Sequence, residues 1–369
     1  MSAPTAITAE PAAPQRIKFS RNNEFQRELK ARVDRYFRMT GQSPRDCFRM
    51  YLKSAVIMAW FIGSYCLLVF AATTWWTAIP LAVSLGLAWA AVGFSIQHDG
   101  GHKAYSRHKW VNKLAAMSMD LIGASSFIWD LKHNSLHHTY ANISEHDDDI
   151  DAGFFARMSP NDRRLPIHRG QHFYLWFLYG FLAIKWHLVD DFLNVTRGRI
   201  GQYQMRRPRG WDLALFIGGK IVFFSLVFVI PLYLHHDQWL TVLAMYVLVA
   251  WIVGFVLSIV FQLAHVVEEA DFPVPGEGGK MAKSWAEHQV ETTVDFARNN
   301  KLVSWFVGGL NFQVEHHLFP RICHIHYPKL ARIVEKTCKQ MNIEYHANPS
   351  VMSGIRSHFL WLREMGKPA

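Results

Sequence analysis

Hydrophobic positions along the chain gather in two long blocks that are almost free of charged residues. The first block covers residues 54–76 and 77–97, and the second covers residues 211–234 and 239–264. An α-helix rises about 1.5 Å per residue, so about twenty apolar residues cross a bilayer core of roughly 30 Å. The pattern therefore predicts four transmembrane helices arranged in two hairpins.

The links inside the two predicted hairpins are short. Residues 75–77 join the first pair and residues 235–238 join the second. Two buried helical hairpins in a soluble core are the alternative, but uninterrupted apolar stretches of this length are scarce in soluble helices. The sequence therefore favours a membrane protein.

Lysine and arginine flank the apolar stretches unevenly. Neither hairpin link contains one, whereas the other flanks are basic: Arg27, Lys30, Arg32, Arg35, Arg38, Arg45, Arg49 and Lys53 before the first stretch, and Arg197, Arg199, Arg206, Arg207 and Arg209 between the hairpins. The positive-inside rule predicts that both termini and the middle loop are cytoplasmic. The formal net charge of +10 follows from this topology and from contact with anionic lipid headgroups, and no nucleic-acid-binding motif accompanies it.

Two apolar segments between the hairpins, residues 114–129 and 173–189, are too interrupted by polar residues to span a bilayer. Asp120 and Lys185 within them would be costly in hydrocarbon, so both segments are predicted as amphipathic helices at the cytoplasmic interface. The polar remainder after residue 264 predicts further short helices. The predicted fold is an all-α integral membrane protein with four transmembrane helices, interfacial helices and a cytosolic helical cap.

The N-terminal residues 1–15 are rich in alanine and proline and lack the apolar core of a signal peptide. They are predicted to form a disordered tail, and residues 16–369 a single membrane domain. The four cysteines show no paired CxxC spacing, so the sequence predicts neither an iron–sulfur site nor a disulfide framework.

Histidine is concentrated in three motifs, HDGGH, HNSLHH and QVEHH, and at the end of the fourth apolar stretch, all on the predicted cytoplasmic face. The members are His98, His102, His133, His137, His138, His265, His316 and His317. A spacing of four places two imidazoles on one face of a continuous helix, so His98 and His102 can share a metal site, and His133 and His137 repeat this spacing. His138 points about 100° away and can reach a different metal. The two glycines of HDGGH weaken a helix and predict close backbone packing there.

Eight imidazoles around one surface would repel each other when protonated, and bound cations explain their collection. Eight nitrogen donors exceed the needs of one four- to six-coordinate ion, so two metals are predicted, although imidazole suits Fe, Zn, Cu and Ni alike. A zinc peptidase is disfavoured because Asp99, not glutamate, follows His98, and HExxH is missing. A carboxylate-bridged di-iron bundle is disfavoured because the required set of Glu-x-x-His pairs is missing.

The three motifs together resemble the histidine boxes of the membrane fatty acid desaturase family. The third box begins with Gln313 instead of histidine, which resembles the front-end branch that includes linoleoyl-CoA (delta-6 and delta-5 type) desaturases. The runs WFVGGLNF before this box and LFP after it also match. The resemblance extends from roughly the first apolar stretch to about Tyr345.

The resemblance implies two iron ions, O2 as the oxidant and an acyl tunnel beneath a cytosolic cap. It implies that the eight histidines are iron ligands and that Gln313 takes the place of a ninth. Other residues that are candidates for an additional ligand or for orienting the imidazoles are Asp99, Asp147, Asp148, Asp149, Glu268, Glu269, Glu315 and His288. His324 and His326 neighbour the third motif and are candidates for the same role or for electron entry.

The expected activity is O2-dependent desaturation of a long-chain fatty acyl group carried by CoA, acyl carrier protein or a membrane lipid. Because the chain lacks the His-Pro-Gly-Gly haem motif of a fused cytochrome b5 domain, a separate donor of cytochrome b5 or ferredoxin type, with its reductase, is expected. A hydroxylase or acetylenase on the same scaffold is the alternative enzyme. A metal transporter would place polar residues along the middle of the spans, and a lipid-binding membrane protein would not need the histidine motifs.

Overall fold

The computed structural model describes residues 16–368, and the predicted disordered tail lies outside them. The helices are α1 (Glu24–Thr40), α2 (Phe48–Ala71), α3 (Trp75–Gly101), α4 (Lys109–Leu121), α5 (Ser126–Tyr140), α6 (Gln171–Leu178), α7 (Leu182–Lys185), α8 (Asp191–Arg197), α9 (Trp211–Leu234), α10 (His236–His265), α11 (Trp285–Glu291), α12 (Lys301–Phe306), α13 (Gln313–Leu318), α14 (Tyr327–Gln340) and α15 (Val351–Gly366). Two-residue strands pair antiparallel as β1 (Arg199–Ile200) with β2 (Tyr203–Gln204), and parallel as β3 (Asp295–Phe296) with β4 (Ala347–Asn348). Single 3-10 turns occur at Gly153–Phe155, Pro166–Gly170, Tyr179–Phe181, Glu277–Gly279 and His324–His326.

Four helices, α2, α3, α9 and α10, are long and apolar enough to cross a membrane, which confirms that prediction. The first link lies elsewhere than predicted, at residues 72–74, because Trp75 already begins α3. Thr74 caps this helix through reciprocal contacts with Thr77, whose hydroxyl accepts from the Thr74 backbone nitrogen at 3.3 Å. The helix continues beyond residue 97 and therefore includes most of the first histidine motif.

Helix α3 packs against both α2 and α10 at the centre of the bundle. The contact with α10 is close because a Cβ on Gly86 would lie 2.9 Å from the side chain of Ile252. Small residues allow such an approach of two membrane helices. Each of these inner helices carries a histidine of interest in its last turn, His98 in α3 and His265 in α10. The packing of the two helices therefore sets the distance between these histidines.

The predicted helix over residues 114–129 is in fact two helices, α4 and α5, bent by 115° at residues 122–125. Gly123 has a φ of +94° there, and the Ser125 hydroxyl accepts from the backbone nitrogen of Ile128 to start α5. A Cβ on Gly123 would lie 2.6 Å from the ring of Phe223 in α9. The bend turns α5, which carries the second motif, back toward the end of α3. The other predicted segment is helical but changes pitch through α6, a 3-10 turn, α7 and a π-helical stretch at Trp186–Asp190.

The bend is also tied to α9 by a buried lysine. Lys220 Nζ donates to the Gly123 carbonyl and to Asp191 Oδ2, at 2.7 Å in each case. Both side chains of the ion pair are more than nine-tenths buried. This cation in the third apolar stretch is therefore paired inside the protein.

Candidate metal centre

The first motif lies at the C-terminal end of α3. The ring centroids of His98 and His102 lie 4.7 Å apart. A Cβ on Gly100 would lie 2.5 Å from a backbone nitrogen of α4, and one on Gly101 would lie 2.1 Å from the ring of Trp129. The prediction of close packing at these glycines is confirmed.

The second motif lies in α5, whose segment Asp130–His137 is π-helical. The wider turn alters the α-helical relationship between residues four apart, so His133 and His137 belong to different imidazole groups. The two rings also form a set with Asp149 whose ligand atoms lie within 4.8 Å of one another, so the predicted sharing of one metal by these two residues stays a prediction. His138 lies between the groups, with its ring centroid 4.5 Å from that of His102 and 4.3 Å from that of His317.

All eight predicted histidines converge in one buried cluster. The first group has ligand nitrogens within 4.8 Å of one another and consists of His98, His102, His133 and His316. The second group meets the same limit and consists of His137, His265 and His317. His138 forms a further set within this limit with His316 and His317. The adjacent residues of the third motif, His316 and His317, have perpendicular rings, at 90°, and one belongs to each of the first two groups.

The outer nitrogens of the cluster have hydrogen-bond acceptors. Five Nδ1 atoms have an oxygen nearby: Asp147 for His137 at 2.9 Å, Asp149 for His133 at 3.2 Å, Gln289 for His317 at 2.7 Å, the Thr292 carbonyl for His265 at 3.2 Å and the Tyr327 hydroxyl for His316 at 3.3 Å. Such an acceptor holds the proton on Nδ1. The Nε2 lone pair of each ring is then left for the interior of the cluster.

The inner nitrogens lack a protein partner within the described residues. They are Nε2 of His102, His133, His137, His316 and His317 and both nitrogens of His138. Buried polar atoms are nearly always paired, so this concentration of unpaired donors to a metal fits bound cations. Burial, followed by repulsion between imidazoles, holds the pKa of His138, His316 and His317 well below the ordinary value and keeps the rings neutral, as metal ligation requires.

The family model for fatty acid desaturases matches residues 73–349. The chain belongs to the fatty acid desaturase family. It is 37% identical over 350 residues to the sn-1 linoleoyl-lipid 6-desaturase of Arthrospira platensis, covering 95% of both chains. It is 39% identical over 354 residues to the protein of the same name from Synechocystis sp., covering 96% of this chain and 98% of that one. It is 38% identical over 347 residues to the acyl-lipid (8-3)-desaturase of Physcomitrium patens, covering 94% of this chain and 72% of that one.

These relatives confirm the predicted resemblance to front-end desaturases and the prediction of an oxidoreductase that acts on fatty acyl chains. The four apolar helices agree with a membrane protein, and the histidine groups agree with metal binding.

Two acidic residues of the desaturase, Asp147 and Asp149, contact the outer nitrogens of His137 and His133 in the second motif. Asp147 accepts from His137 and also from the backbone nitrogens of Asn142 and Asp149, both at 3.0 Å. Burial alone would raise the pKa of Asp149, but Lys132, with Nζ 3.2 Å away, and the imidazoles hold it well below its usual range. Burial likewise opposes protonation of His137, but Asp147 outweighs it and raises the pKa of that ring. The Asp149 carboxylate therefore stays ionised, and both aspartates keep their imidazoles oriented.

Gln313 lies at the second group, as its place in the motif implied. Its Nε2 is 2.8 Å from Nε2 of His265, the ring nitrogen opposite the one that faces the Thr292 carbonyl. The amide therefore contacts the inner side of the cluster directly.

Several candidates lie away from the inner cluster. Asp148 pairs with Lys132, Asp99 with His324, Glu269 with Ser357 and Asn348, and Glu315 with Tyr345. The backbone nitrogen of Glu268 donates to the Ser357 hydroxyl, and His288 packs against Phe19. The carboxylates of Glu315 and Asp295 share the Tyr345 hydroxyl as a donor. Of the acidic candidates, only Asp147 and Asp149 contact imidazoles of the eight-histidine cluster.

Sequence reasoning missed three groups that contact the imidazoles. Gln289, Tyr327 and the Thr292 carbonyl all lie outside the three motifs, in two helices and a loop. Their residue types carry no metal-binding signal, so only the tertiary contacts reveal them. His324 and His326 contact Asp99 and the Ser43 carbonyl instead of the cluster.

An apolar cavity of about 290 Å³ lies between the four long helices. Its wall includes Tyr65, Leu85, Trp89, Tyr246 and Val249. Trp89 precedes His98 by nine residues, which is roughly 13 Å along the helix. The cavity is therefore separated from the cluster by a few turns of α3.

Proposed function

We propose that the desaturase holds two iron ions in its two imidazole groups and uses O2 to introduce a double bond into a long-chain fatty acyl group of a membrane lipid. The observation that carries the proposal is the set of buried, unpartnered inner nitrogens whose outer nitrogens are already held by acceptors. The lipid-linked substrate is supported by the relatives, which are named as linoleoyl-lipid and acyl-lipid desaturases.

The ligands follow from the groups. One iron would be held by His98, His102, His133 and His316, and the other by His137, His265 and His317. His138 lies beside both groups, and Gln313 is positioned to contact the second ion directly or through water. When bound, the two irons supply, with O2, the oxidising power that removes two hydrogens from adjacent methylene groups.

The chain's own residues position and protect this chemistry. Asp147, Asp149 and Gln289 fix the proton on the outer nitrogen of their imidazoles, so the inner nitrogen is held ready as a donor. The cluster is buried, and the burial excludes water that would otherwise compete for the metals. Trp129 stacks on His133 with centroids 4.7 Å apart and forms an apolar wall beside the first group.

The selection of the reacting carbons is a matter of position. The cavity near Trp89 is apolar on its long sides and would receive the methyl end of the acyl chain, while a more polar part of the lipid stays on the cap side of the cluster. If the cavity fixes how far the acyl chain enters, only one pair of adjacent methylene groups lies beside the irons, and that pair reacts.

The proposal also covers the membrane topology and the source of electrons. The basic residues around the spans support cytoplasmic termini, a cytoplasmic active site, two hairpins and interfacial helices in the middle segment. Electrons would come from a separate cytochrome b5 or ferredoxin with its reductase.

The test is expression in a host with defined fatty acids and a supplied electron donor, followed by mass spectrometry of the lipids. We expect the wild type to form a product two hydrogens lighter, and His317→Ala to form none. A product heavier by one oxygen would instead identify a hydroxylase. Metal analysis is expected to give two irons per chain, and zinc alone at one ion per chain would contradict the proposal.

A further inference from the structure

Helices α1 and α14 form an exposed pair on the cap. Phe25 and Leu29 of α1 pack with Val334 and Cys338 near the end of α14. Further along α1, Val33 packs with the first turns of α14, in one cluster with Tyr327 and Leu330. The two helices are therefore antiparallel, and the C-terminal end of α1 lies beside the N-terminal end of α14.

This shared end is strongly basic. We call it the basic face and define it by the exposed side chains Arg35, Arg38, Arg321, Lys329 and Arg332. None of the five has a carboxylate within 4.0 Å among residues 16–368, whereas Lys30 and Arg32, nearer the start of α1, are paired with Asp34 and Glu28. The charge of the basic face is therefore free to act on a partner.

The basic face lies next to the candidate metal centre, and Tyr327 lies between the two. Tyr327, the first residue of α14, is buried, and its hydroxyl is 3.3 Å from Nδ1 of His316. Lys329 is two residues further on and is exposed. A single tyrosine side chain thus connects the surface end of α14 to an imidazole of the first group.

The composition of the basic face favours a soluble partner over the membrane. Within the described chain, α14 exposes no large apolar side chain and α1 exposes one, Met39. A helix that inserts into the membrane interface needs an apolar face beside its basic one. Exposed aromatic residues occur elsewhere on the protein, at Phe154, Phe173 and Phe177.

We infer that the basic face is the docking surface for an acidic one-electron carrier, which would deliver electrons past Tyr327 to the iron that the first imidazole group would hold. The inference rests on the proposed function. Each turnover takes two electrons from two carrier molecules, which become oxidised. With two protons from water and the two hydrogens of the acyl chain, these electrons reduce one O2 to two molecules of water. Opposite charges on the two proteins would speed their encounter and make it sensitive to salt.

The test uses the iron-loaded full-length protein in nanodiscs of neutral phosphatidylcholine. The probes are a soluble [2Fe–2S] ferredoxin and the soluble domain of cytochrome b5, both with acidic surfaces. The docking variant is Lys329→Glu/Arg332→Glu. The matched control is Arg163→Glu/Arg169→Glu, which reverses two exposed arginines that are also without a carboxylate within 4.0 Å, in another part of the described structure.

We expect the docking variant to weaken carrier binding and raise the KM for the carrier at least tenfold, and to flatten the salt dependence of kcat/KM. The control is expected to stay within twofold of the wild type. Iron content and thermal unfolding of each variant check that the cluster and the fold are intact.

Equal behaviour of the docking variant and the control would overturn the inference. So would a defect that appears only in nanodiscs with anionic lipid, because that result would assign the basic face to the membrane. Carrier binding at the basic face by a wild type that forms no unsaturated product with any reductant would count against the proposed function alone.

Discussion

Nδ1 of His137 lies 2.9 Å from the carboxylate of Asp147, and neither side chain is exposed to solvent. The same carboxylate accepts from the backbone of Asn142, whose side-chain amide donates to the carbonyl of His265 at 2.8 Å. One aspartate and one asparagine therefore tie together two histidines of the second group that lie more than a hundred residues apart in sequence.

Replacement of Asp147 by asparagine should weaken metal binding. The change keeps the size of the side chain but removes the charge that orients His137. At other metal sites, loss of such an outer partner typically lowers the affinity for the metal by about 10- to 100-fold. We expect iron content after mild chelation to fall to a small fraction of the wild-type value. Asp151→Asn is the control, because Asp151 is exposed and contacts only the turn at Gly153. Unchanged iron retention in Asp147→Asn would contradict this role.

Gly101→Ala should disturb the first group through packing. The new methyl group would lie 2.1 Å from the ring of Trp129, which stacks on His133. Overpacking of this kind costs about 1–3 kcal/mol, so we expect a lower unfolding temperature and less bound iron. The control is Gly63→Ala in α2, where nothing lies within 4 Å and the helix should gain slightly from alanine. Equal stability of the two variants would refute the packing argument.

Lys220→Met should destabilise the bundle by leaving Asp191 buried without its cation. Removal of one member of a buried pair costs about 3–5 kcal/mol, whereas removal of both costs much less. Thermal unfolding in detergent should therefore show a large loss for Lys220→Met and a partial recovery in Lys220→Met/Asp191→Asn. Simple addition of the two single effects would show that the residues are not coupled.

Val249→Phe should shorten the accepted acyl chain. Val249 is buried and lines the cavity between the four helices, so a phenyl ring there would fill part of the space for the methyl end. We expect the ratio of products from a mixture of acyl chains to shift toward shorter substrates, because each methylene that no longer fits the cavity loses roughly 0.8 kcal/mol of burial. Val247→Phe is the control, because Val247 in the same helix is 40% exposed. The same product ratio in all three proteins would exclude this cavity from the acyl path.

Cys47 should react with alkylating reagents at unusually low pH. The neighbouring Cys323 thiol, opposed by burial and aided by the hydrogen bond with His326, lowers the pKa of Cys47 to about 5. Because the thiolate is the reactive form, the rate of labelling by iodoacetamide should rise with pH around 5 and level off well below pH 8. Cys47→Ser identifies the labelled position by mass spectrometry. A midpoint near the ordinary thiol value of about 8.5 would be inconsistent with this contact.

The apolar stretches and the histidine motifs were readable from the sequence because each depends on residue type and local spacing. Four stretches of about twenty apolar residues have few alternatives to membrane helices, and eight clustered imidazoles have few alternatives to metal binding. The helix ends were less certain, since Trp75 and Trp76 suit a span end but Thr74 supplies the cap.

The assignment of each imidazole to a group depended on the tertiary structure. His133 and His137 keep a spacing of four in the sequence, but the π-helical segment between them changes their relative direction, and they fall in different all-histidine groups. Glu315 stands beside His316 and His317 in sequence, yet it faces Tyr345, while Gln289 and Tyr327 reach the imidazoles from outside the three motifs. Residue types and local periods are properties of the chain itself, whereas the direction of a side chain and its partners are set by how bends, glycine contacts and buried ion pairs bring separate helices together.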